Sequence, residues 1–185
     1  MANEIMTKFI RPILSLVAGC MLVSCIEINS SGYSDLSESE RQHVRACSSP
    51  IDSLRNDGNI YKVNVGHVKD CIARHDKVLV YEYLPFCSGE NGRSPIEVKR
   101  LCDRHGIALV VVSSVYDGIF PIPASNTFPM LVIDNSVYGT DNYQDYGEQF
   151  YKSLTGSDDE SRQMSSYHYF HKGRYVRSYD SIRQL

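Results

Sequence analysis

The run Lys77-Val78-Leu79-Val80-Tyr81-Glu82-Tyr83-Leu84 narrows the choice of fold more than any other part of this chain. It is β-branched and aromatic, almost unbroken in its apolarity, and too short for a core helix. A strand that is apolar on both faces must be covered on both, which calls for a sheet with helices above and below. The flanking patterns agree. Residues 60–63 read as a short strand, and Val65, Val68 and Ile72 form a helical stripe that ends near His75. Val98, Leu101, Cys102 and His105 then recur at helical spacing, with Gly106 as C-terminal punctuation. Residues 107–112 and 130–133 read as further buried strands, separated by a loop rich in Gly and Pro (Gly118, Pro121, Pro123). After a turn at Asp134-Asn135, Val137-Tyr138 reads as a short strand. Tyr143, Tyr146, Phe150 and Leu154 mark a last helix, closed by Gly156.

The ends carry their own signals. Ser37-x-x-Glu40 is a capping box that predicts a helix reaching about Cys47. Ser49-Pro50 opens another helical turn, stopped by Asp57-Gly58. Past an acidic linker at 157–161, Tyr167-His168-Tyr169-Phe170 and Tyr175-Val176-Arg177-Ser178 flank Lys172-Gly173, the pattern of a β-hairpin. The expected fold class is α/β: a central mixed β-sheet flanked by helices at 60–155, with a short N-terminal helical extension at 36–59 and a C-terminal hairpin extension at 162–185.

Residues 1–24 read as a leader rather than as fold. Lys8 and Arg11 are cationic, residues 13–23 are apolar but short for a bilayer span, and the stretch ends in Leu22-Val23-Ser24-Cys25. That ending resembles the bacterial lipobox, which implies cleavage before Cys25 and its lipidation. Val17-Ala18-Gly19-Cys20 also fits, but it would shorten the apolar core and leave Met21-Leu22-Val23 exposed. A polar tether at 25–35 would follow. The expected location is therefore the bacterial envelope, lipid-anchored and facing the periplasm or the cell surface. Losing Glu4, Lys8 and Arg11 makes the mature chain one unit more negative than the full chain's −3. No basic field points to nucleic acid. Cys47, Cys71, Cys87 and Cys102 remain, an even number in an oxidising compartment, and spacing alone does not choose a pairing.

Cys87 follows the central strand directly. A thiol delivered to a helix N-terminus is activated by the exposed N–H groups there. The surroundings resemble the thioredoxin superfamily over roughly 60–155. Tyr83-Leu84-Pro85-Phe86-Cys87 matches the family's aromatic approach to its active site. Pro95 matches the proline of the active-site helix, and Thr127-Phe128-Pro129-Met130 the cis-proline segment. The resemblance implies a site framed by Tyr83, Pro85, Phe86, Glu90, Pro95, Phe128 and Pro129, with a cis Pro129 close to Cys87 and Phe128 able to pair with an extended peptide. The departures are equally specific. Glu90 stands where the resolving cysteine would be, and Tyr81 where a buried acid would assist proton transfer. Gly89 and Gly92 loosen the first turn, while Ser94-Pro95-Ile96-Glu97 reads as the true helix start. A helical path of fifteen residues would put Cys102 about 20 Å from Cys87, too far to replace the missing partner.

Three functions fit these residues. The first is a thioredoxin-like protein without dithiol chemistry that binds a peptide or protein partner in its cleft. The second is a monothiol oxidoreductase using Cys87. The third is an assembly lipoprotein that docks through its Tyr-rich hairpin. No cofactor or metal is expected. Cys71-x-x-x-His75 and Cys102-x-x-His105 have metal-ligand spacing, but the sheet is expected to separate them. His168-x-x-His171 reads as a surface pair.

Overall fold

A computed structural model describes residues 32–90, 92–120, 128–158 and 165–185. Seven strands form one sheet: β1 (Val44–Ala46), β2 (Ile60–Val63), β3 (Lys77–Glu82), β4 (Ala108–Ser113), β5 (Met130–Ile133), β6 (Tyr167–His171) and β7 (Arg174–Tyr179). Their spatial order is β1-β2-β5-β4-β3-β6-β7. The first five lie parallel, while β6 runs antiparallel to β3, and β7 to β6. The helices are α1 (Glu38–Arg41), α2 (Val65–Ala73), α3 (Pro95–His105) and α4 (Tyr143–Thr155). The chain is thus a mixed α/β protein with helices on both faces of its sheet.

The continuous apolarity of 77–84 has the expected cause. Val78 and Val80 enter one core with Val68, Cys71 and Ile72 of α2 and Phe150 and Leu154 of α4. Leu79 and Tyr81 point the other way, into a second core with Val98 and Cys102 of α3. Successive residues of a strand face opposite sides, so both parities must be apolar when both sides are covered. Gly106 ends α3 at φ 64, and Ile107 donates back to the Cys102 carbonyl at 2.9 Å, closing the last turn.

Several expectations need correction. The first helix stops at Arg41 instead of reaching Cys47, because Val44–Ala46 pairs with β2, and Ile60 and Cys47 complete the ladder through His43 and Lys62. A sheet edge satisfied those backbone groups better than one more turn of a short helix. Residues Asn135–Val137 form a 3-10 turn rather than leading into a strand, since the Asp134 side chain accepts from the Ser136 N–H. The flanking segments are not appendages: β1 extends one side of the sheet, and β6 lies directly against β3. The hairpin itself is as expected, with Lys172 (φ 50) and Gly173 (φ 76) supplying the two left-handed residues of a tight turn. His168 is buried against the Tyr151 ring, centroids 4.7 Å apart, while His171 is exposed. Being interior to the sheet, β6 buries the side chain that a surface hairpin would show to water.

Candidate functional site

The chain leaves β3 through Tyr83, whose N–H donates to the Val112 carbonyl at 3.0 Å, and turns at Pro85-Phe86. The Cys87 N–H closes that turn on the Leu84 carbonyl, also at 3.0 Å. Cys87 is part-exposed, and the Phe86 ring meets Tyr143 at the start of α4 edge-on, centroids 6.1 Å apart. The helix begins only at Pro95, with Ser94 as N-cap. Cys87 therefore sits on a loop, beyond the first turn in which the helix dipole acts. The Ser94 hydroxyl makes no cap bond, and Glu97 pairs with Arg93 at 3.6 Å instead of closing a capping box.

Gly92 shows how tightly the loop closes on itself. A Cβ at this position would lie 1.8 Å from the Cys87 carbonyl oxygen, a backbone atom that cannot swing away. Gly92→Ala is expected to destabilise the protein by about 2–3 kcal/mol, because the loop must open to admit the methyl. A urea midpoint equal to wild type would show that this closure is not tight.

Glu90 sits at the centre of the loop's bonding. Its carboxylate accepts from Arg93 Nη2 at 2.8 Å and from the Ile182 N–H at 3.0 Å. The Tyr167 hydroxyl lies 2.9 Å from the Glu90 carbonyl and 3.2 Å from Oε2, and divides its one proton between them. The Tyr81 hydroxyl reaches the carbonyls of Glu90 and Arg93 at 2.9 and 2.8 Å. The Tyr81 and Tyr167 rings stack at 4.8 Å and 16°. Burial pushes the Glu90 carboxyl up, but Arg93, the Ile182 N–H and Tyr167 outweigh it and hold the group below its ordinary range. Burial pushes both tyrosines well up, so at neutral pH they act as hydroxyl donors.

No protein-family model, curated protein or solved structure matches this chain.

Of the framing residues named from sequence, Tyr83, Pro85, Phe86, Cys87 and Glu90 share the loop after β3, and Pro95 starts the helix that follows it. Phe128 and Pro129 are placed differently. They lead into β5, which β4 separates from β3. Leu131 pairs with Val112, and Val112 with Glu82, so Pro129 enters two residues below the end of β3. No cis peptide bond occurs among the described residues, which include Phe128 and Pro129. Phe128 is buried in the second core rather than lining a cleft. The strand order, which local pattern does not carry, puts β4 between this segment and the strand that leads to the thiol. Thr127, the expected leader and Cys25, the expected point of lipidation, lie outside the described residues, among which no helix is long and apolar enough to cross a membrane.

No disulfide joins the cysteines of the described residues. Cys71 and Cys102 lie in opposite cores, so their histidine pairs do not converge. Burial pushes the Cys102 thiol up to about 12. Cys47 follows β1, not a helix, and shares the core of Cys71. Sequence reasoning missed Asp52. Its Oδ1 lies 3.3 Å from Cys71 Sγ and 2.8 Å from His75 Nε2, and its Oδ2 accepts from Arg74 Nε at 2.7 Å. Burial, followed by the bond to Asp52 and that residue's charge, pushes the Cys71 thiol up to about 12. The Cys71-x-x-x-His75 spacing was the available signal; the third member comes from a separate turn.

Proposed function

We propose that this chain is a lipid-anchored, thioredoxin-like protein of the bacterial envelope that binds a protein or peptide partner and performs no dithiol–disulfide exchange. One observation carries the reading: the side chain at the resolving position, Glu90, is committed to Arg93, Tyr167 and the Ile182 N–H. Tyr81, at the position of the proton-transferring acid, spends its hydroxyl on two loop carbonyls. The residues that depart from the dithiol pattern thus build the loop, and the thiol sits outside the helix dipole. The strand-to-Cys87 approach and Pro95 at the start of α3 support the family resemblance, while the place of Pro129, across β4 from the thiol strand, departs from it.

A monothiol reading has its own support, because Cys87 is part-exposed whereas Cys47, Cys71 and Cys102 are buried. In that reaction a Cys87 thiolate attacks a partner disulfide, a partner thiolate leaves, and an external thiol such as glutathione resolves the mixed disulfide. Alkylation of the native mature chain at pH 7, with a chelator present, separates the two. We expect one thiol, Cys87, to react, at a rate no faster than free cysteine, and the other three to react only on unfolding. A Cys87 rate ten or more times that of free cysteine, with turnover of a glutathione mixed disulfide lost in Cys87→Ser, would replace our proposal with the monothiol one.

A further inference from the structure

We propose that Asp52, Cys71 and His75 form a binding site for a zinc-class divalent cation, a site independent of the thiol loop. The fold assembles it from two elements. Helix α2 ends at its C-cap Arg74, so Cys71 and His75 fall one turn apart on the same side. Asp52 lies in the 3-10 turn Ile51–Ser53, which packs on α2 and is anchored by Ile51 in the core shared with Cys71.

The donor set selects the ion. One sulfur, one imidazole nitrogen and one carboxylate oxygen lie within 4.8 Å of one another. Zinc binds such atoms at about 2.0–2.3 Å, which sets them about 3.3–3.7 Å apart around a tetrahedral centre. The Cys71 Sγ to Asp52 Oδ1 separation of 3.3 Å needs to open by about 0.3 Å, and the 2.8 Å between His75 Nε2 and Oδ1 by about half an ångström. Cys71 is fixed in the core, whereas the His75 and Asp52 side chains are 37% and 36% exposed and have room to swing. Magnesium and calcium call for oxygen ligands and are disfavoured by the sulfur and imidazole.

Charge and outer contacts agree. A Cys71 thiolate and the Asp52 carboxylate together neutralise a dication. The thiol proton that now points at Asp52 leaves to solvent as the sulfur–metal bond forms, with no change of oxidation state. Arg74 holds Oδ2 and leaves Oδ1 for the ion, the arrangement in which an outer hydrogen bond orients a ligating carboxylate. Three protein ligands leave a fourth position for water on the exposed side of the cluster.

The test is a titration of the mature, tag-free, reduced chain with Co²⁺ alone, followed by Zn²⁺. One equivalent of cobalt is expected to produce a thiolate-to-cobalt charge-transfer band that zinc then removes. Cys71→Ser is expected to abolish the band, and His75→Gln to weaken cobalt binding by at least about tenfold, each with an unchanged far-ultraviolet circular dichroism spectrum. Absence of the band in the folded wild-type chain overturns the proposal, as does a band that survives Cys71→Ser. Should Cys71→Ser fail to fold, the substitution at the part-exposed His75 decides: unchanged cobalt affinity in His75→Gln overturns the site.

Discussion

Deleting residues 165–185 is expected to abolish cooperative folding of the remaining chain. The deletion strips β6 from the whole length of β3, where five residue pairs run from Lys77–His171 to Tyr81–Tyr167. It also removes Tyr167 and Phe170 from the two cores, at about 1.5–3 kcal/mol each. That loss, with the ladder, is comparable to the whole stability of a typical domain, about 5–15 kcal/mol. The truncated chain would also present β3, an apolar strand, as an open edge prone to pairing with other chains. Thermal and urea unfolding followed by circular dichroism check this. A cooperative transition in the truncated protein would show that residues 36–155 fold alone. It would also restore the hairpin as a detachable docking element, the reading in which removing it costs only partner capture.

Glu90→Ala is expected to destabilise the protein by about 2–4 kcal/mol, since it removes a charged acceptor and leaves Arg93, Tyr167 and the Ile182 N–H without it. Glu90→Gln preserves the shape and is expected to cost less. Their pH dependence distinguishes charge from shape. The folded Glu90 carboxyl lies below its unfolded value, so the native state favours the ionised form. Its contribution is complete above the ordinary glutamate value of about 4.3 and fades as pH falls from there through the lower folded value. The stability difference between wild type and Glu90→Gln should therefore shrink on acidification below about pH 4.3. A difference that stays constant from pH 7 to pH 3 would assign the effect to shape alone. Asp52 is also held low, by His75, Arg74 and Cys71 against the opposing pull of burial, but it is present in both proteins and drops out of the comparison.

Much of the candidate site was legible because it depends on neighbours in the chain. Proline at the first helical position and the glycines before it placed the start of α3 after Cys87, not at it. Glu90 and Tyr81 were conspicuous as departures from the dithiol pattern, yet their purpose was hidden. Tyr81 bonds to a loop nine and twelve residues away, and Glu90 reaches partners 77 and 92 residues further along. The same blindness explains Asp52, which meets Cys71 across nineteen residues through packing of its turn on α2.

The sequence by itself determined that this chain builds a helix-covered α/β sheet, that Cys87 leaves a buried strand on a loop, and that Lys172-Gly173 turns a hairpin. Each of these follows from periodicity, capping or backbone conformation within a few residues. Only the tertiary structure decided that β6 lies against β3, that β4 separates Pro129 from the thiol strand, and that Val44–Ala46 joins the sheet instead of lengthening a helix. Strand order is set by which faces bury the most apolar surface and satisfy the most backbone bonds together. That balance is struck over the whole chain, and no local window contains it.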